Sequence, residues 1–333
     1  MPAKDLPFPP MEAELVRELP EGDGWAYKPK WDGFRGVLEN LEGELNLWSR
    51  NGRPLLRYFP ELRPLGDVLP ARSALDGEVV IVRDGALDFD AMQMRLHPAE
   101  SRVRRLSAEI PASYVVFDLL VWDGELVWKR PLEERRAELE RVANGFRLSP
   151  ATRSLKEARG WLDRFESLGL DGVVAKRLAS PYLPGSRDGV VKVKEHKTAD
   201  CVVAGIRWKG SRDQIATLLL GLYNEKGRLD YVGSAAVAAR SRTEVAAKVL
   251  PLVEEDPSWH SGEPNRWGGG GLDEARLRPE LVVEVRYDKV QGNRFRHGTK
   301  LLRWRTDKEP SDCTWRELRP AAAAPGAGVD SLF

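Results

Sequence analysis

The chain has 333 residues, 42% hydrophobic and 31% charged, with a net charge of +1. This composition excludes a disordered or membrane-embedded chain, identifies no partner by charge alone, and at this length favours two domains. Cys201 and Cys313 form no Cys-x-x-Cys motif and have no histidine cluster nearby, which excludes an obvious structural zinc site and suits a reducing, cytoplasmic setting.

The segment Met1 to Pro10 is Pro-rich and lacks an apolar centre. The first 20 residues are therefore expected to be an arm leading to the first strand, not a secretory signal. No apolar run approaches the length of a membrane span. Strand patterns follow at Trp25 to Tyr27, Val37 to Leu38 and Leu45 to Ser49, separated by turn clusters such as Arg50-Asn51-Gly52. Within Tyr27-Lys28-Pro29-Lys30-Trp31-Asp32-Gly33-Phe34-Arg35 a short strand runs into an Asp-Gly turn. A lysine just before such a turn can be presented to a ligand. A neighbouring cation, Arg35 or a bound metal, would lower its pKa and leave a nucleophilic amine, so Lys30 is the candidate nucleophile. The alternative is an ordinary charged hairpin.

Ala74 to Val82 is an apolar strand interrupted by Asp76 and Glu78, and Tyr114 to Trp122 is another that carries Phe117-Asp118. Helical patterns span Leu132 to Val142, introduced by Pro131, and Leu155 to Leu168. Then come Leu170-Asp171-Gly172-Val173-Val174-Ala175-Lys176-Arg177 and Val190-Val191-Lys192-Val193-Lys194. After Lys197 the character changes. Strands at Cys201 to Trp208, Ile215 to Tyr223 and Leu229 to Gly233 precede a helix near Thr243 to Glu254 and a Gly-rich loop from Gly268 to Gly271. Two more strands follow, Leu281 to Val290 and Leu301 to Thr306. Five strands and one helix predict a small Greek-key barrel of the kind that grips nucleic acid. Between Leu281 and Lys308 eight Lys or Arg face three acids and interleave with Tyr287, Phe295 and Trp304, a pattern suited to phosphate contact. Ala321 to Gly328 reads as a flexible tail.

A charge inside an apolar strand is expensive without a partner or ligand. Here Asp76 with Glu78, Asp118, Asp171, and Lys192 with Lys194 all interrupt such strands. With a period of two, Asp76 and Glu78 share one face and could offer oxygens to a hard cation. Lys192 and Lys194 share another and could neutralise a polyphosphate. Internal salt bridges are the alternative for each pair, and a shared site is the more economical reading of all of them.

In order, Lys30-Trp31-Asp32-Gly33-Phe34-Arg35, Ser49-Arg50-Asn51-Gly52, Asp76-Gly77-Glu78, Phe117-Asp118-Leu119-Leu120, Asp171-Gly172-Val173-Val174-Ala175-Lys176, Lys192-Val193-Lys194 and Arg305-Thr306-Asp307-Lys308 resemble the successive motifs of ATP-dependent DNA ligases. Arg294-Phe295-Arg296-His297-Gly298, Leu302-Arg303-Trp304-Arg305, Arg57-Tyr58-Phe59-Pro60-Glu61-Leu62 and Thr198-Ala199-Asp200-Cys201 look like the short stand-alone bacterial type, ligase C. The resemblance runs from about residue 5 to 316. It implies an α+β chain: a nucleotidyltransferase (adenylation) domain over 1–197, an OB-fold β-barrel domain over 198–320, and a tail over 321–333.

By the same resemblance, Lys30 attacks the α-phosphorus of ATP, releases pyrophosphate and holds AMP as a phosphoramide. Arg35 and Arg50 contact the ribose and later the 5′-phosphate of a nick, Phe117 stacks on adenine, and Lys176 belongs to the nucleotide-binding set. Glu78 and Asp171 hold Mg2+ or Mn2+, and Lys192 and Lys194 neutralise the α-phosphate. Arg305, Asp307 and Lys308 orient the pyrophosphate when the barrel domain closes. Two residues depart from the family pattern: Lys28 replaces a glutamate that helps to read adenine, and Asp171 replaces a glutamate in the metal-binding motif. The implied partner of this expected monomer is nicked or broken duplex DNA; recruitment by a DNA-end-binding repair protein stays open, since the sequence carries no signal for it. Val329-Asp330-Ser331-Leu332-Phe333 resembles the peptides that dock onto the sliding clamp, although glutamine is missing at its start; a frayed end without a partner is the alternative. RNA ligation, GTP-dependent RNA capping and a binding module with a dead nucleotide site remain open readings, separable by covalent labelling with ATP or GTP.

Overall fold

The alternating strands of the first half build two sheets in the computed structural model, which describes residues 9–194, 197–209, 211–254, 274–318 and 328–332. The chain divides into two compact units, 1–195 together with 320–333, and 196–319.

In the first unit a five-stranded sheet runs in the order Glu44–Ser49, Phe34–Leu41, Ser73–Val80, Ser113–Val121 and Arg147–Leu148. A four-stranded sheet runs Glu14–Leu15, Val190–Val193, Val173–Arg177 and Trp25–Pro29. The expected arm is therefore partly structured. Glu14 and Leu15 pair in parallel with Val191 and Lys192, and the amide of Glu12 donates to the carbonyl of Ser186 at 2.8 Å. Helices form at Leu132–Val142 and Leu155–Leu168, where their apolar spacing predicts them.

Two helices in this unit lack a legible pattern. Phe89–Arg95 is only seven residues long and is started by Asp88, whose carboxylate caps the amide of Ala91 at 2.8 Å. Glu100–Glu109 buries Val103 and Leu106 alone, too narrow a stripe to read. Glu61 has a structural task here: it holds the fully buried Arg95 through two hydrogen bonds and accepts a third from the amide of Ala112.

The second unit closes on itself. Lys197–Lys209, Ser211–Tyr223, Leu229–Ala236, Thr299–Trp304 and Val282–Tyr287 pair in a ring, because the first of these strands bonds both the second and the last. This is the five-stranded barrel of an OB-fold. The expected helix is shorter than its sequence pattern, Arg242–Val249, and a 3-10 turn, Leu250–Leu252, replaces its last part. Pro251 explains the stop, since it has no amide hydrogen to continue the ladder of α-helical hydrogen bonds and its ring crowds the carbonyl four residues before it. The expected glycine loop, Gly268 to Gly271, lies outside the described residues. Tyr287 and Phe295 are buried with their rings 4.9 Å apart, and Trp304 packs against the same barrel core. These aromatics are therefore framework, not a stacking surface. Among the described residues no helix is long and apolar enough to cross a membrane.

The end of the chain differs from the free, mobile tip expected of it. Val329–Leu332 forms a 3-10 turn on the first unit. Val329 is fully buried, in the cluster that contains Leu87, Leu168 and Leu170, and Leu332 packs beside it. The Val329 amide donates to the carbonyl of Gly85 at 2.7 Å, and Arg147 pairs with Asp330 at 3.0 Å. Val329→Ala should lower the stability of this unit by about 1–2 kcal/mol, and Val329→Asp should release the segment altogether. Denaturant unfolding and limited proteolysis at the C-terminus check this; equal protease resistance in Val329→Asp and the wild type would contradict the docking.

Candidate active site

Sheet register places many of the predicted residues of the first unit around one cavity. Val174 lies between Lys28 on one neighbouring strand and Lys192 on the other, and Lys192 in turn lies beside Leu15. These four side chains form one rung and line the floor of a cavity of about 500 Å3. In the five-stranded sheet Arg35 is paired with Glu78, and both line the same cavity with Lys30, Arg50, Phe117 and Lys176.

Lys30 is clamped by its own backbone. Its amide donates to the carbonyl of Gly172 at 2.8 Å, and its carbonyl accepts from the amide of Asp171 at 2.9 Å. That turn brings the Asp171 carboxylate onto the Lys30 ammonium, and Lys194 pairs with the same carboxylate at 3.0 Å. Gly172 has a φ of +126°, and a Cβ there would sit 2.0 Å from the carbonyl oxygen of Val193. Only glycine fits this position. Gly33 is constrained likewise, by the carbonyl oxygen of Val79 at 2.0 Å from any Cβ.

Burial would raise Asp171, but the charges of Lys30 and Lys194 outweigh it and hold the carboxyl below its usual range. Burial lowers Lys192, and the neighbouring Lys30 and Lys194 add to the effect. Three lysines thus gather around one carboxylate, a local excess of positive charge suited to a polyphosphate.

Behind this surface lie two buried carboxylates. Asp76 and Asp118 stand directly opposite each other on adjacent strands, 0% and 1% exposed. Like charges so placed destabilise a sheet unless each is neutralised. Arg35 bonds Asp76 through two nitrogens at 3.0 and 2.6 Å, and the Tyr182 hydroxyl donates to it at 2.8 Å. Asp118 accepts from Arg135 at 2.8 Å and from Lys176 at 2.7 Å. Burial opposes the ionisation of Asp118, yet Lys176 and Arg135 hold it well below the usual carboxylate range.

The pairing skips one residue between Asp118 and Val116. That extra residue is Phe117, a bulge that turns the ring into the cavity beside Asp118. Lys28, Arg35 and Lys176 lie 3.8, 5.3 and 5.4 Å from the ring centroid.

Several expectations change. Asp76 is bound to Arg35 and Tyr182 and is not a free oxygen ligand for a cation. Lys176 is buried against Asp118 and reaches the cavity as one of its walls. Lys194 touches the site through Asp171. Arg305, Asp307 and Lys308 belong to the second unit, where Arg305 bonds Asp307 and Asp200, and Lys308 bonds Asp200 and Glu317. Arg135 and Tyr182, which complete the buried network, carry no local sequence signal; only the need of Asp76 and Asp118 for partners points to them.

The residues present fit a hard divalent ion. Burial raises Glu78 to about 7 against the opposing charges of Lys30, Arg35 and Lys28, so added positive charge would favour its carboxylate form. Among the described residues no three metal-ligating side chains cluster.

Comparisons with known proteins show the family to which the chain belongs. Residues 10–194 match the family profile described as "ATP dependent DNA ligase domain", and residues 211–308 match "ATP dependent DNA ligase C terminal region". The chain is 44% identical to DNA ligase C1 of Mycolicibacterium smegmatis, over 94% of this chain and 95% of that protein. It is 42% identical to DNA ligase C of Mycobacterium tuberculosis, over 94% of each. A solved structure from a study of Lig E DNA ligases shares the fold at a TM-score of 0.55 and 15% identity, covering 89% of this chain and 100% of that one.

Asp118→Asn should cost the first unit about 3–5 kcal/mol at neutral pH, because two buried cations lose their counter-charge. The Asp118 carboxyl is held below its unfolded value. Its contribution is therefore complete above that value and lost as pH falls, so the gap between variant and wild type should narrow only below about pH 4. Denaturant titrations at several pH values check both parts.

Proposed function

Because this chain belongs to the ATP-dependent DNA ligase family, we propose that Lys30 carries AMP between ATP and the 5′-phosphate of a broken DNA strand. The observation that supports this is the Lys30 amine fixed by Asp171 inside a cavity with surplus positive charge. In the first step the Lys30 nitrogen bonds the α-phosphorus, the bond from phosphorus to pyrophosphate breaks, and Lys30 loses its proton. In the second, the 5′-phosphate of the break displaces Lys30 and takes the AMP. In the third, the 3′-hydroxyl attacks that phosphate and AMP departs. Phosphoryl transfer of this kind needs little from a protein beyond alignment and charge neutralisation.

The residues divide the work accordingly. Asp171 directs the Lys30 amine, and Lys192 with Lys194 neutralises the α-phosphate. Arg35, stiffened by Asp76 and Tyr182, and Arg50 hold ribose and phosphate, while Phe117 supports the base. Glu78 and Asp171 would hold the divalent ion, which supplies further charge neutralisation when bound. Arg305, Asp307 and Lys308, set by Asp200 and Glu317, would align the leaving pyrophosphate.

Nicked or broken duplex DNA in the bacterial cytoplasm is the substrate we assign, with repair as the setting. A sliding clamp could engage Val329-Asp330-Ser331-Leu332-Phe333 only by first lifting Val329 from its buried place.

Mapping the peptide labelled by α-labelled ATP tests the central step. Lys30→Ala should abolish the label and nick sealing while DNA binding stays largely intact; a label that persists on another lysine would overturn the assignment. Nick binding should also weaken roughly several-fold when salt is doubled, since phosphate contacts dominate it. A flat response in an equilibrium binding assay would contradict that.

A further inference from the structure

The first unit buries Val329 completely, in one apolar cluster with Trp31, Leu168, Leu170, Val173 and Val193. These neighbours flank the reacting groups. Trp31 follows Lys30, Leu170 precedes Asp171, and Val193 stands between Lys192 and Lys194. The segment that carries Val329 therefore shares a core with the turn in which Asp171 meets the Lys30 amine.

A backbone route also joins them. Val82–Arg83 and Ala86–Leu87 form a hairpin that turns through Asp84 and Gly85, at φ values of +51° and +78°. The tip of this hairpin receives the Val329 amide, which donates to the Gly85 carbonyl at 2.7 Å. Two glycines allow the approach: a Cβ on Gly328 would lie 3.2 Å from the Gly85 Cα and 3.3 Å from its carbonyl oxygen. At the base of the hairpin, Leu87 lies against Gly169, where a Cβ would come within 2.5 Å of the Leu87 carbonyl oxygen. Gly169 leads through Leu170 to Asp171. The Asp171 amide then donates to the Lys30 carbonyl, and the Lys30 amide to the Gly172 carbonyl.

Resting on the proposed role of Lys30, we propose that the 328–332 segment is a positioning element for transfer of AMP to Lys30. With Val329 seated, the hairpin holds the 169–172 backbone and so keeps the Asp171 carboxylate on the Lys30 amine. Val329 is thus a positioning residue that acts through Asp171. Close-packed interiors have little slack and transmit small displacements. Group transfer is sensitive to them, a misplacement of ~1 Å costing on the order of 100-fold in rate. The Arg147–Asp330 pair is largely exposed and contributes little to the seat, which depends on Val329.

The test compares the full chain with Val329→Asp, Gly328→Val and Val329→Ile, at a temperature where circular dichroism shows each of them folded. Limited proteolysis reports release of the segment. Self-labelling with α-labelled ATP is followed across ATP concentrations, and hydrogen exchange by mass spectrometry over residues 28–33 and 168–174. Val329→Asp and Gly328→Val should lower the labelling rate at saturating ATP by about tenfold, with half-saturation changed by less than about twofold. Val329→Ile should label within about twofold of wild type. In the two released variants the amides of Lys30 and Asp171 should exchange about tenfold faster, ahead of the rest of the unit. An unchanged maximal rate in a variant whose segment is released overturns the proposal. So does a change in half-saturation alone, or exchange that rises uniformly across the unit, which would mark general loosening. If Val329→Asp does not fold, Gly328→Val decides, because it puts no charge into the core. Absence of any adduct in the wild type would remove the Lys30 reading instead, and the exchange comparison then still decides whether the segment holds the turn.

Discussion

Two carboxylates facing each other across a sheet, without water, organise the first unit of this protein. Asp76 and Asp118 each need hydrogen-bonding cations of their own there, and the fold supplies them from separate elements. Arg35 comes from the adjacent strand, Arg135 from the Leu132–Val142 helix and Lys176 from the second sheet. Satisfying Asp118 therefore ties together one helix and two sheets. The same bonds hold Arg35 and Lys176 against the Phe117 ring, so the solution to a folding problem also shapes the wall of the cavity.

The cavity itself is built on the opposite principle. Its lysines outnumber the carboxylates that face them. Lys30, Lys192 and Lys194 share Asp171, and Lys28 has the face of an aromatic ring. Such a surface costs stability in the free protein. Rigid backbone around Lys30, enforced by Gly172 and Gly33, keeps the amine directed while the charges around it change.

The barrel carries its own version of this arrangement. Asp200 holds both Arg305 and Lys308, fixing two donors just past the end of a strand. Each of these donors has a second carboxylate, Asp307 or Glu317, and is thereby directed as well as neutralised. The aromatics between the basic residues serve the barrel core.

Local chemistry made much of this legible beforehand. The Lys30 turn, the strands broken by acids, the two long helices and the five barrel strands all follow from period, turn residues and the cost of a charge in an apolar run. Those signals lie within a few residues of one another in the chain. Only the tertiary structure decided which charge meets which. It assigned Asp76 to Arg35 and not to a metal, brought Arg135 and Tyr182 into the network, and made Phe117 a bulge. It also buried Val329, which its sequence surroundings had marked as mobile. Each of these outcomes depends on residues far apart in sequence, and an ion pair or an apolar contact leaves no trace in the spacing of the chain that forms it.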